Sequence, residues 1–251
     1  MAGTAEATQL TEQYRSQQLA LRAATTRDLQ TIWPLFTGSD ESFAAFAEAA
    51  VRLVLQRHET SSGLGAGYYR RFRTAEGVGG EMIPRLAPRL GVGLIQAALF
   101  ATGLAGTRRA IGAGQAPAQA RATGLVQAAG AAARLVLDGG RRTVDDTVRA
   151  DPKAQGWVRV TSGQPCAFCA MLASRGPAYK SDRTSRFQAH DHCACTSEPV
   201  FEGSELPAEN RRWEQLWRES AAGKDNQLAR FRQALAEQAT QAGQAAAAAA
   251  E

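Results

Sequence analysis

Apolar side chains recur at helical spacing through most of the first 150 residues. Leu21, Leu29, Ile32, Trp33 and Phe36 follow Leu10 and Tyr14 at intervals close to one helical face. A cleaner stripe comes next, with Phe43, Phe46, Ala47, Ala50, Val51, Val54, Leu55 and His58 at i, i+3, i+4 and i+7. Thr60-Ser61-Ser62-Gly63 is expected to weaken or end that helix. Pro84 suits the start of another, with Ile83, Leu86, Leu90, Leu94, Ala97 and Ala101 along one side. Gly103 to Pro117, rich in Gly and Ala, reads as a hinge or loose connection. Pro117 suits the first turn of a small-residue helix bearing Leu125, Ala129, Ala133 and Val136, which Gly139-Gly140 is expected to stop. Thr143 and Asp146 resemble a capping box for a short helix with Val144 and Val148, closed by Asp151-Pro152.

The period changes at Gly156. Trp157-Val158-Arg159-Val160-Thr161 alternates and predicts a strand, and Pro199-Val200-Phe201 predicts a second short one. From Pro207 the pattern is helical again, through Trp213, Leu216 and Trp217, then Leu228, Phe231 and Leu235. From Ala242 the chain is Ala, Gln and Gly without core-forming side chains, so a frayed helix or disorder is expected. No fixed-period repeat is present.

Composition adds bounds. At 251 residues, 44% hydrophobic and 21% charged, the chain reads as soluble and large enough for a real core. No charged n-region followed by an apolar h-region opens it, so no secretory signal is expected. Leu90 to Thr107 is uncharged between Arg89 and Arg108, but its glycines and Gln96 favour a buried soluble helix over a membrane span. The net charge of +5 is uneven: residues 60–150 hold 12 basic and 5 acidic side chains. Such a surplus suits a phosphate backbone or an acidic protein surface, and equally a solvated helix face.

Chemistry concentrates in one place. All four cysteines lie between 166 and 195, as Cys166-x2-Cys169, then His190-x2-Cys193-x-Cys195 after 20 residues. Extracellular disulfide frameworks spread their cysteines, whereas this tight clustering reads as a metal site in a reducing, intracellular place of synthesis. Zinc wants four soft or borderline ligands; CxxC offers two thiolates and the return segment the other pair. Cys166, Cys169, His190, His192, Cys193 and Cys195 compete for four places, and His192 and Cys193, being adjacent, are not expected to bind together. A filled four-ligand site leaves no position for water, which argues for structure over catalysis. Two enzymatic motifs share part of this pattern. Pro165-Cys166-x2-Cys169 matches half of the zinc deaminase signature, but the upstream HxE is missing. His190-Asp191-His192 resembles the start of a histidine-rich nuclease motif, but no histidine follows it, and Asn210 and Asn226 sit in helical surroundings. Elsewhere, His58 reads as a core residue, Arg175-Gly176 as a helix end, and Trp213 with Trp217 as core or an interface anchor. No nucleotide-binding glycine motif and no serine nucleophile are visible.

Three segments together resemble a known family. Gly140-Arg-Arg-Thr-Val-Asp-Asp-Thr-Val-Arg-Ala-Asp151, Gly156-Trp-Val-Arg-Val160 and Pro165-Cys-Ala-Phe-Cys-Ala-Met-Leu-Ala-Ser-Arg-Gly176 look like the MuF-like minor head proteins of tailed bacteriophages, the actinobacteriophage branch above all. His190-Asp-His-Cys-Ala-Cys195 matches that family's histidine followed by a CxC pair, which favours His190 over His192 as ligand. The resemblance covers residues 140–201. It implies a head morphogenesis protein present in few copies, associated with the portal or the procapsid interior, and hence found in the virion and, during assembly, in the host cytoplasm. The expectation is therefore a mostly α protein, with a helical region over 1–138, a zinc-stapled α+β domain over 139–205, a C-terminal helix over 206–241 and an Ala-rich tail over 242–251. Its structural zinc would be drawn from Cys166, Cys169, His190, Cys193 and Cys195. Its partners would be portal or capsid proteins and packaged DNA, with no membrane and no small-molecule substrate. The alternative is a zinc-dependent nucleic-acid-binding protein or nuclease using the same cluster.

Overall fold

The computed structural model describes residues 4–161, 165–177, 187 and 189–248, with side chains through 241. Thr4 accepts a hydrogen bond from the Ala7 amide and caps α1 (Ala5–Ile32). A 3-10 turn, Trp33–Leu35, leads to Ser39, which forms a capping box with Ser42 at the start of α2 (Asp40–Ala75). The stripe from Phe43 to Val54 is buried as its spacing requires, against Trp33, Phe36, Ile95, Leu99 and Val136.

Two expected helix breaks do not occur. The helix α2 runs straight through Thr60-Ser61-Ser62-Gly63, and α5 (Pro117–Ala150) runs through Gly139-Gly140. Ser61, Ser62, Gly139 and Gly140 are where α1, α2 and α5 touch, while Thr60 and Gly63 face outward. A Cβ at Gly139 would collide with the His58 carbonyl; one at Gly140 would collide with the Tyr14 hydroxyl and come within 2.9 Å of the Ser61 carbonyl. A Cβ at Gly65 would meet the Gly140 carbonyl at 2.8 Å. The serine hydroxyls are spent across the contact rather than on their own backbone. Ser61 donates to Gln18 Oε1 (2.9 Å) and accepts from the Gly140 amide (2.9 Å), while Ser62 and Thr143 share a 2.7 Å bond. Thr143 is therefore buried in mid-helix and is not a cap. Each glycine costs a helix about 1 kcal/mol relative to alanine, and close packing of three helices outweighs that. The boundary expected at 138/139 likewise falls inside α5.

The helix expected from Pro84 is an extended strap over residues 79–91. Pro84 and Pro88 lack amide hydrogens, and α5 supplies partners for the backbone instead. Thr147 accepts from the Arg85 amide and Thr143 from the Ala87 amide, both at 2.9 Å, while the His58 ring lies 3.2 Å from the Pro88 carbonyl. Ile83 and Leu86 face solvent. Helix begins again at Val92, as α3 (Val92–Leu99), a π turn (Phe100–Leu104) and α4 (Ala105–Gly112). The expected hinge from Gly103 is thus largely helical, with Gly103 seated against Phe43 and Gly124 against Thr107. Only one side of Leu90–Thr107 is buried.

Strand β1 (Ala154–Val160) pairs antiparallel with β2 (Thr196–Phe201), Trp157 opposite Pro199 and Val160 opposite Thr196. Trp157 and Phe201 join Tyr14, Tyr68, Tyr69, Val144 and Val148 in a second core cluster, which fastens the sheet to the helices. Between the strands lies α6 (Ala167–Ala173); after them come α7 (Ala208–Ser220) and α8 (Gln227–Ala248). Met171, Leu172, Trp213, Leu216 and Phe231 form a third cluster. The helix α8 continues through Ala248, where fraying or disorder was expected from Ala242; residues 249–251 lie outside the described ones. The protein is mostly α with a small two-stranded sheet. Among the described residues no helix is long and apolar enough to cross a membrane.

Candidate metal centre

Cys166 ends the connection from β1 and sits at the N-cap of α6, where its sulfur accepts from the Cys169 amide at 3.5 Å. The CxxC spacing puts Cys169 on the first helical turn, facing inward. Helix N-termini stabilise thiolates, so this placement favours both as metal donors. The return segment brings His190 back with its Nε2 3.1 Å from Cys166 Sγ and 3.5 Å from Cys169 Sγ. On the buried side, Cys193 Sγ lies 3.8 Å from Cys169 Sγ, and Cys195 completes a second trio with these two. Cys169 belongs to both groups, Cys166–Cys169–His190 and Cys169–Cys193–Cys195, and each is close enough to hold a metal ion. All four cysteines are free thiols, Cys166 exposed and the others buried.

These spacings suit coordination. With metal–sulfur bonds of about 2.3 Å and metal–nitrogen bonds of about 2.0 Å, a tetrahedron has edges of roughly 3.5–3.8 Å. Two of the three measured edges fall there. A disulfide would need its sulfurs at about 2 Å. Protonation points the same way. Burial raises the Cys166 thiol, but the Cys169 backbone and thiol and the His190 ring outweigh it and hold Cys166 below the usual thiol range. Burial lowers His190, yet the Asp191 carbonyl and Cys166 lift it above its ordinary value. Hydrogen bonds from the Cys169 and Cys195 thiols pull Cys193 down, and the Cys193 and Cys195 partners push Cys169 up. The neighbouring thiols thus share protons unevenly, Cys193 favouring the thiolate and Cys169 the thiol. A divalent cation bound there would take the place of those shared protons.

His192 takes no part. Its backbone is left-handed (φ 66°), and its ring packs against α5 at Gly130, where a Cβ would come within 2.5 Å of Nε2. Asp191 accepts from Arg134 Nε at 2.9 Å. Neither residue faces the cluster as a nuclease reading needs. Asn210 is buried and donates to the Arg159 and Ala173 carbonyls, both at 2.9 Å, tying β1 to α6 and α7. Ser162-Gly163 lies outside the described residues.

Sequence reading missed the groups that hold the loop. Arg141 is 1% exposed; its Nε donates to the Cys195 carbonyl (3.0 Å) and a terminal nitrogen to the Cys193 carbonyl (2.8 Å). Its other nitrogen reaches Asp138 at 3.2 Å. Arg159, on β1 and equally buried, points a nitrogen at Cys169 Sγ (3.8 Å) and Cys193 Sγ (4.0 Å). Its guanidinium lies 3.8 Å from the centre of the Phe187 ring, which stacks on Trp157. One signal was available: Leu137, Arg141, Val144 and Val148 share a helical face, and an arginine on an apolar stripe wants a buried partner.

Fold and site define a mostly helical protein whose C-terminal lobe carries a cysteine/histidine centre suited to a metal ion. The chain belongs to the VG15 protein family, whose model matches residues 5–220, from the start of α1 to the end of α7. It is also similar to the gene 15 protein of Mycobacterium phage D29, 46% identical over 55 residues that span 20% of each chain. The match therefore covers about a fifth of that relative's length. No solved structure matches. Family and relative mark this as a phage-encoded protein.

Proposed function

We propose that the chain is a minor structural protein of a phage head, acting in head morphogenesis near the portal or procapsid interior, and that a structural zinc ion staples its C-terminal lobe. Its place is then the virion, and the host cytoplasm during assembly. The observation that carries this reading is that the family match contains the whole cluster, which offers more donors than one ion needs. Cys166, Cys169 and His190 would hold the ion with Cys193, whose sulfur is 3.8 Å from that of Cys169. Three thiolates and an imidazole are a zinc-type donor set, and zinc bound there would supply folding energy to a lobe whose sheet, among the described residues, has two short strands. Four protein donors leave no open position, which favours a structural ion over a catalytic one and MuF-like head proteins over a nuclease. A strap and a cross-linked lobe suit a part that must stay folded while a head matures.

Metal content of protein purified without chelator, followed by melting with and without chelator, tests the zinc. About one zinc per chain and a transition lost on chelation are expected. No metal and no chelator effect would sink the zinc claim. Mass spectrometry of purified heads tests the rest: a chain absent from heads and procapsids removes the head assignment and leaves the zinc untouched.

A further inference from the structure

Helix α3 is apolar on both sides, but only one side is enclosed. Ile95, Leu99 and Leu104 point into the first core cluster. The step from 99 to 104 is one residue longer than a helical repeat because the π turn inserts a residue there. Next to that side Val92, Gln96 and Phe100 recur at every fourth position, Phe100 edge-on to Phe43 at 6.4 Å, and beyond them lie Gly93, Ala97 and Ala101. Val92 is 48% exposed, Phe100 51%, and Leu94 on the flank 56%. At 1.5 Å per residue this strip is roughly 14 Å long. The strap leading into it adds exposed Ile83 and Leu86. A helix that is apolar all round is normally buried all round.

The segment that carries the strip has charge of one sign, and the acidic groups beside it, Glu59 and Asp40, come from α2. Met82 to Leu137 contains arginines at 85, 89, 108, 109, 121 and 134 and no Asp or Glu. Arg109 donates to the Ala101 carbonyl at 3.1 Å, which holds a cation at the edge of the strip. Arg89 and Arg108 reach Glu59 and Asp40 through exposed ion pairs, which are worth about 0–1 kcal/mol and exchange readily for a better partner.

We infer that this face docks an amphipathic helical segment of another protein, apolar at its centre and acidic at its rim. Duplex DNA would satisfy the arginines but leave Val92 and Phe100 uncovered. A second copy packed symmetrically would set arginines against arginines. An acid-rimmed helix covers the apolar strip and meets the guanidinium groups together, the arrangement of helix-in-groove recognition. The inference rests on the assembly reading only in taking the partner to be a protein.

The test uses the full chain and two fluorescent helical peptides with the same leucine face, one rimmed with Glu and one with Lys. The Glu peptide is expected to bind at least about tenfold tighter, less so at high salt. Phe100→Glu should abolish that binding; because Phe100 also meets Phe43 edge-on at 6.4 Å, Val92→Glu on the same strip should abolish it too, without moving the melting temperature. Arg85→Glu with Arg109→Glu should reverse the preference toward the Lys peptide. Equal affinity for both peptides, or no binding of the Glu peptide, overturns the inference. So does a 20-base-pair duplex whose binding is lost in Phe100→Glu, or a dimer in sedimentation that the same substitution dissolves. A chain that holds zinc and enters heads yet fails these measurements loses only this inference.

Discussion

Replacing Arg141 by Met probes the support of the cluster most directly. Met matches the arginine stem in length and apolar character but donates no hydrogen bond. The carbonyls of Cys193 and Cys195 then lose charged donors now at 2.8 and 3.0 Å, in a loop that is otherwise buried. Each buried carbonyl left without a partner costs about 1–3 kcal/mol. Against this, a guanidinium no longer has to be desolvated, and Asp138, which is partly exposed, recovers water. A net loss of about 3 kcal/mol follows, a fall of roughly 6–12 °C in melting temperature for a chain of this size. Because the same carbonyls orient the CxC pair, zinc affinity should drop by about 10–100-fold, read by competition with a chromophoric chelator. Arg141→Lys keeps the charge but lacks the fork that reaches two carbonyls at once, so it should recover only part of both losses. Should Met melt within about 1 kcal/mol of the parent, or Lys restore it fully, the clamp argument is wrong.

Gly139→Ala places a methyl against the His58 carbonyl, which belongs to backbone and cannot rotate away. Destabilisation of at least about 1–3 kcal/mol in chemical denaturation is expected, and a neutral result would mean that the α2–α5 contact is looser than drawn. Glu198 is raised from 4.5 to about 7 by burial and the Glu76 carboxylate, against the Thr11 hydroxyl 2.6 Å away. The folded state therefore binds the extra proton: this group's contribution is fully present below pH 4.5 and is lost as pH rises to about 7. Glu198→Gln should flatten that slope and, at pH 8, stabilise the fold by up to about 3 kcal/mol. A parent whose denaturation midpoint does not fall between pH 5 and 8, or a Gln variant no more stable at pH 8, counts against it.

Helical character, the two strands and the gathering of cysteines were legible locally. Apolar periods such as Phe43–Val54 depend only on which face is buried, and CxxC carries its geometry within one turn; the alternation at Trp157–Val160 located the strand, although both of its faces are buried. The positions of helix ends were not legible where small residues serve packing. Gly139 and Gly140 read as breakers because local propensity counts their flexibility against a helix, while their value lies in admitting α2, at His58 and Ser61, far away in sequence; Gly63, where a Cβ would meet nothing within 4 Å, is simply tolerated inside α2. Pro84 misled in the opposite direction: its strap is held by Thr147 and by Thr143, whose hydroxyl read as a cap. Ligand choice divided the same way. Spacing alone nominated six donors. Tertiary packing removed His192 by pressing it on Gly130 and brought Arg141 and Arg159 to the loop from α5 and β1. Outside the strap at Pro84 and the helical stretch after Gly103, short-range patterns determined which elements form, and they determined which donors exist, since both follow from neighbours in the chain. Which side of α3 stays open, and which charges face the thiols, was decided only when distant segments met, because burial and electrostatics depend on distance in space.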